Sequence, residues 1–582
     1  MTEWSRRRFL QTGAALGIAG TLPQTTTNVS AASPALDKFV QPLPIPSVRE
    51  PDGQRDGADA YEISVSEFTQ QLHPDLPETT VWGFDGSYPG PTIEADAGSP
   101  VHVRFDNSDL PSEHLFPVDE RIGGTTSENH AGYDGPVPEV RTVTHFHGLE
   151  VAPASDGQSD MWTSPGGVEG PRFESEWQEL PMEQGRTTST YHDHTLGITR
   201  LNGYAGLLGL YSITTDAERE LGLPSGDYDI PLLLQDKEFN DDGSLYYPEE
   251  FVSAFLGDTA VVNGAVWPYV EVEPRRYRLR VVNGANHRSF DLQFENESGS
   301  GVPTMYQFAP GHGFLESVVP IGPSGDLDSL LLTPFERGEL VVDFSDHAGE
   351  TLTLTNGADM GPELTDLVQF RVSDPSTPPE DASADPTALS LPAPASYDES
   401  DARVTREMTL GTEVDMENDF IKYTLNGHVF GDEGAPVYPQ LGSTEIWELQ
   451  NESGGRHPIH LHLVTFRVIG RGPDGTQPPD PNELGPKDTV RVDPNERVRI
   501  IATFEGYTGQ FPWHCHMLEH EDNKMMIPFV VENPIAAYAN EENVVDATGL
   551  TDAVGDWRND DLETEVLLEV IDQWRSGDEV AD

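Results

Sequence analysis

One cysteine, Cys515, is all that 582 residues contain, so no intrachain disulfide can form and the thiol is either an inert core group or a functional one. Basic charge is scarce too: 34 Lys and Arg stand against 100 Asp and Glu, a formal net charge of −66. The lysines are only Lys38, Lys237, Lys422, Lys487 and Lys524. A field of this sign makes nucleic acid and anionic membrane surfaces poor partners. The acids are spread along the whole chain, which reads as adaptation to extreme salt. Concentrated ions screen the self-repulsion, and dense carboxylates keep the surface solvated. An acidic binding face is the rival reading.

Long apolar runs are missing as well. The mildly apolar stretch 12–22 is too short, and too broken by glycine, to span a bilayer. It follows Ser5-Arg6-Arg7-Arg8-Phe9-Leu10 and precedes the small residues Val29-Ser30-Ala31-Ala32. Residues 1–32 are therefore expected to be a twin-arginine export signal, leaving a secreted mature chain without a membrane anchor.

Helix-period stretches are rare, whereas short β-branched or alternating runs bounded by Gly, Pro, Asn and Asp recur throughout. Val101-His102-Val103-Arg104-Phe105 and Tyr277-Arg278-Leu279-Arg280-Val281-Val282 are examples. The pattern predicts an all-β chain of sandwich type. The length calls for several domains. A Pro-, Ala-, Ser- and Asp-rich stretch at 373–396 is the clearest linker, and an earlier joint falls near 214–227. Domains are placed at 40–215, 228–372 and 397–540. Phe84-Asp85-Gly86, Val262-Asn263-Gly264 and Leu425-Asn426-Gly427 form a weak internal repeat at hairpin-like turns. In the acidic tail 546–582, Leu562, Val566, Leu567, Val570, Ile571 and Trp574 have roughly helical spacing and predict one short amphipathic helix.

Ten of the 18 histidines fall in four clusters: His145 and His147; His192 and His194; His457, His460 and His462; His514, His516 and His520. Each contains His-x-His, and on an extended strand that spacing points both imidazoles to one face. One such pair is weak evidence, but four can converge eight nitrogens on one site. Cys515 sits between His514 and His516, so its sulfur faces the other way. His457 is offset from His460 by an odd number and can face the same way as the sulfur. With His520 and Met525 these make two imidazoles, a thiolate and a weak thioether, the donor set of a blue-copper electron-transfer centre. A single zinc would leave most of these ligands surplus. The other eight histidines (His73, His102, His114, His130, His287, His312, His347 and His428) lack ligand spacing and are read mostly as surface or structural.

These motifs resemble those of multicopper oxidases, specifically three-domain microbial laccases of the spore-coat type, with bilirubin oxidase as a relative. The resemblance extends to Tyr88-Pro89-Gly90-Pro91 and to Val262-Asn263-Gly264-Ala265-Val266-Trp267-Pro268-Tyr269. It implies three Greek-key cupredoxin-like β-sandwich domains and four copper ions. His457, Cys515, His520 and Met525 would hold the type 1 copper, and His145 and His460 the type 2. His147, His192, His194, His462, His514 and His516 would hold the type 3 pair. Glu521 and Asp156 match family positions that relay protons. The implied activity is one-electron oxidation of small phenolic or aromatic-amine donors by a monomer, with dioxygen reduced to water. A cuprous-ion or bilirubin oxidase, or a non-enzymatic copper or electron-transfer protein, are the alternatives; ten methionines without a clustered run speak against Cu(I) capture. The long Pro/Gly-rich loop 109–140 departs from the family pattern and puts the donor range in question.

Overall fold

The computed structural model describes residues 32–582 apart from 359, 378, 416–419, 433–435, 541–542, 559–563, 578–579 and 581–582. The expected export signal, except Ala32, and Leu562 of the expected tail helix lie outside the described residues.

The chain is mostly β. Its strands form six sheets among the described residues, two in each of the stretches 53–214, 229–372 and 404–531. One construction recurs in all three. A strand runs parallel to a later one: Ala58–Gln70 beside Val101–Asp109, Asp229–Lys237 beside Arg276–Asn283, and Val404–Asp415 beside Ser443–Asn451. The first of each pair also folds back antiparallel on the segment that leads into the repeated turn.

The turns themselves are alike in detail. Asp85-Gly86, Asn263-Gly264 and Asn426-Gly427 all hold both residues at positive φ (50° and 68°, 51° and 78°, 54° and 75°). That conformation favours Asn or Asp followed by Gly. In each, the side-chain oxygen accepts a backbone N–H from the paired strand, from Ser64 at 2.9 Å, Leu233 at 2.8 Å and Thr409 at 2.8 Å. The sequence repeat is thus a structural one, fixed by a shared hydrogen bond.

Helices are more numerous than one. Thr199–Ala205, Asp216–Glu220 and Leu518–Asp522 are short α-helices between strands, and the tail carries two, Ala547–Arg558 and Thr564–Ser576. The short ones make too few turns to leave a periodic signal. Ala547–Arg558 was masked by Gly549 and Gly555, poor helix formers that interrupt an otherwise amphipathic pattern. The tail buries Ala553, Leu567 and Val570 against Ile535, Tyr538 and Ala539.

One apolar cluster runs from Leu43 to Val372, and a second, from Met408 to Val531, belongs to the last stretch. Among the described residues, the segment 373–396 carries no strand and is tied to the body. Asp381 accepts from the Arg276 backbone at 3.0 Å, and the Ala395 carbonyl accepts from Arg467 at 2.9 Å. No helix is long and apolar enough to cross a membrane among the described residues.

Candidate metal centre

Strand pairing brings the four histidine clusters together. Thr144–Phe146 lies antiparallel to Thr187–Asp193 with His145 opposite His192. In the last stretch His457–Leu461 lies antiparallel to Gly509–Cys515, with His460 opposite His514 and Ile459 opposite Cys515. Alternation then sorts the side chains onto two faces, as the spacing predicts.

On one face the eight imidazoles form a single buried cluster. Ring nitrogens of His147, His192 and His516 converge, as do those of His194, His462 and His514, each set within 4.8 Å. His145 joins His460 and His462 in a third set. The ring of His145 stacks on His462 at 4.0 Å and that of His147 on His460 at 3.8 Å. Donor nitrogens face one another: Nε2 of His462 lies 3.2 Å from Nε2 of His194 and 3.3 Å from Nε2 of His514.

Three of the far nitrogens are tied to backbone carbonyls. Nδ1 of His145, His192 and His460 donates to the carbonyls of Asp156 at 2.5 Å, Asp193 at 2.8 Å and Asp488 at 2.9 Å. Each bond fixes the tautomer whose Nε2 lone pair points inward. Nε2 of these same three rings is buried without any partner. Burial disfavours the charged form of His147, His192, His194, His460, His462, His514 and His516, pushing His147, His194 and His514 down to about 3. Neutral, oriented and unpartnered imidazoles are a donor set for metal, and they suit copper.

On the other face Cys515 Sγ lies 3.4 Å from His457 Nδ1 and 3.6 Å from His520 Nδ1. All three side chains are buried. Burial pushes the Cys515 thiol up, so a cation is needed to hold it as thiolate. His457 Nε2 is tied to the Ser453 hydroxyl at 2.6 Å. Met525 is buried in the same apolar cluster as Cys515, and its carbonyl accepts the Cys515 N–H at 3.1 Å. Met526 pairs instead with His514 across the sheet.

Glu521 and Asp156 both lie against the imidazole cluster. Glu521 lies 3.3 Å from His194 Nδ1 and 3.2 Å from His514 Nδ1, and burial raises its carboxyl. Asp156 reaches His462 Nδ1 at 3.0 Å.

Sequence reasoning missed Asp488. Its fully buried carboxylate meets His147 Nε2 at 3.1 Å, His312 Nε2 at 2.6 Å, and Arg337 at 2.6 and 2.7 Å. Burial pushes this carboxyl up, but Arg337, His147 and His312 outweigh it and hold the group well below its usual range. His312 is therefore structural, part of the centre's support. His287 is structural as well, meeting the His520 ring edge-on at 5.3 Å. No spacing rule marks one acid among 100 in this chain, and the contacts that distinguish Asp488 are long-range.

A buried cysteine–histidine site joined through adjacent residues to an eight-imidazole cluster, on a mostly β frame, defines a copper oxidase. The chain belongs to the multicopper oxidase family, whose models match residues 401–534 and 68–117. It is 92% identical over 581 residues to a laccase of Haloferax volcanii, covering 100% of both chains. It is 38% identical over 532 residues to a laccase of Bacillus subtilis, covering 86% of this chain and 99% of that one. The solved structure of a laccase from Pediococcus acidilactici matches with a TM-score of 0.68 at 29% identity, covering 86% of this chain and 95% of that one.

Proposed function

We propose that the chain is a laccase-type oxidase, removing single electrons from phenols or aromatic amines and passing them to dioxygen, which becomes water. The observation that carries this reading is continuity. Cys515 turns its sulfur toward His457 and His520, while its immediate neighbours His514 and His516 belong to the imidazole cluster. An electron received on one face of the strand has a covalent route to the other.

The residues fit four coppers: a type 1 ion held by His457, Cys515, His520 and Met525; a type 2 ion by His145 and His460; a type 3 pair by His147, His192, His194, His462, His514 and His516. Such ions would supply one-electron acceptors and a site where dioxygen can take up four electrons. The protein's part is to keep the donor atoms dry, neutral and aimed. The contacts of Glu521 with His194 and His514, and of Asp156 with His462, support a role for these acids in handing over the protons that water formation requires.

The repeated hairpin, with two sheets in each stretch, supports three Greek-key cupredoxin domains at 40–215, 228–372 and 397–540, joined through 373–396. We further read the protein as a salt-adapted monomer, exported through the twin-arginine pathway on the strength of residues 5–10. Oxygen uptake with guaiacol, bilirubin and Cu(I) as donors tests the activity. Turnover highest with guaiacol supports the laccase reading, and turnover confined to Cu(I) or bilirubin replaces it.

A further inference from the structure

The eight imidazoles are not all held in the same way. The outward nitrogens of His145, His192 and His460 bond to backbone carbonyls. Those of His147, His462 and His194 meet the carboxylates of Asp488, Asp156 and Glu521 at 3.1, 3.0 and 3.3 Å. His514 has both kinds of partner, the Cys515 carbonyl and Glu521, each at 3.2 Å. Among the described residues, His516 has neither. Its Nε2 faces His147 Nδ1 at 3.0 Å, and its Nδ1 is buried without a partner. No hydrogen bond on its far side sets the plane of this ring.

A ring from the middle stretch lies where that support is missing. Phe335 sits 3.8 Å from His516 and nearly parallel to it, at 20°, with His192 at 4.6 Å and His147 at 5.9 Å. These three histidines are one of the two converging donor sets of the expected type 3 pair. The other set, His194, His462 and His514, is faced by the carboxylates of Glu521 and Asp156.

The backbone that delivers the Phe335 ring is strained. The Glu336 N–H donates to the Thr333 carbonyl at 2.9 Å, closing a turn with Pro334 second and Phe335 third, and Phe335 sits at φ +62°. Proline followed by a left-handed residue is the pattern of a type II turn, whose third position favours glycine or asparagine and makes a bulky side chain an outlier. Its surroundings hold it there. The Phe335 N–H donates to the Asn283 carbonyl at 2.7 Å, the Phe335 carbonyl accepts from Arg337 at 3.1 Å, and Glu336 binds Lys487 at 3.0 Å. A costly conformation kept in place beside a metal centre points to a role for the side chain it carries.

We propose that Phe335 is the positioning residue of His516. The stack stands in for the missing outward hydrogen bond, fixing the plane of the ring and so the direction of its donor Nε2, and it closes that side of the donor set to water. This rests on the four-copper fit of the proposed function. With no acceptor to polarise its far N–H, His516 offers a less basic nitrogen than its neighbours. Its hold on copper therefore depends on aim, and its aim on the stack.

The test uses the copper-loaded enzyme and two variants. Phe335→Leu keeps a bulky apolar group and removes the flat ring, whereas Phe335→Gly removes the ring and relaxes the turn. Copper per chain is measured by atomic absorption after equilibrium dialysis against graded EDTA, together with the blue absorption and the copper visible by electron paramagnetic resonance. Two coupled Cu(II) ions are silent in that measurement, and an uncoupled one is not. In both variants one copper should be held about tenfold more weakly than in the parent, as the loss of an outer support implies. New resonance-visible copper should accompany the change, with the blue absorption retained. If Phe335→Leu does not fold, Phe335→Gly carries the test. Copper retention and resonance matching the parent's would overturn the proposal. So would an even loss of all the copper together with the blue absorption, which marks a general weakening of the fold. A parent that holds its coupled pair yet consumes no oxygen with guaiacol would contradict the laccase reading alone.

Discussion

Asp488 and Arg337 form a buried two-point ion pair, 2.6 and 2.7 Å between the guanidinium nitrogens and the carboxylate oxygens, and the same carboxylate braces His147 of the imidazole cluster. Through this pair the middle stretch, which supplies no candidate ligand, supports a centre built from the first and last.

Arg337→Gln should therefore do more than loosen the interface. It leaves the buried Asp488 carboxylate facing only imidazoles, those of His147, His312 and His460, all of which burial pushes toward the neutral form, and breaking such a pair costs on the order of 3–5 kcal/mol. Copper content measured by atomic absorption should fall below that of the parent, with a lower unfolding midpoint even without metal. Full copper loading and an unchanged midpoint would show that the pair is dispensable.

Met525 and Met526 make the axial assignment testable. Met525 packs with Cys515, whereas Met526 pairs with His514. Met525→Leu should raise the type 1 reduction potential, because a weak donor to the oxidised state is lost. Met526→Leu should barely move it. Redox titration of the blue absorption in both variants decides; a larger shift for Met526→Leu reverses the choice.

Lys237 gives the fold a pH dependence. Its ammonium is buried, donates to the Tyr204 carbonyl at 2.6 Å and lies 4.1 Å over the Tyr204 ring. Burial pushes it from 10.5 down to about 7. Over that window the unfolded chain holds a proton that the folded one has lost. Stability contributed at this position therefore declines as pH falls from about 10.5 to about 7, and levels off below. The limiting slope is about 1.4 kcal/mol per pH unit. Lys237→Met should flatten this part of the curve in denaturant titrations across pH. Identical pH profiles for variant and parent would contradict it.

The acidic surface makes a matching prediction for salt. Excess negative charge repels itself once ions no longer screen it, and screening weakens as the Debye length reaches about 10 Å near 0.1 M. The melting temperature should fall steadily from molar KCl to that range. A melting temperature independent of salt would remove the case for salt adaptation.

The clustering of the histidines and Cys515 is legible because strand alternation is a local rule. His145 and His147, or His514, Cys515 and His516, reveal their faces by spacing alone, and the triplet turns at Asp85, Asn263 and Asn426 announce themselves by residue type. What stayed hidden depends on distance along the chain. Asp488 and Arg337 stand 151 residues apart, and His312 gave no sign of its partner. The tail helix Ala547–Arg558 escaped for a different reason, since two glycines dilute its pattern.

Cys515 is the link between the donor and the imidazole cluster, and the proposed function depends on it. The deciding measurement is the ratio of guaiacol oxidised to dioxygen consumed, recorded for the parent enzyme and for Cys515→Ser with copper content determined in parallel. Four guaiacol molecules should be oxidised per dioxygen in the parent. The variant should lose the blue absorption and guaiacol oxidation while the copper of the imidazole cluster is retained. Guaiacol oxidation persisting in Cys515→Ser, or hydrogen peroxide formed at two guaiacol molecules per dioxygen in the parent, would contradict it.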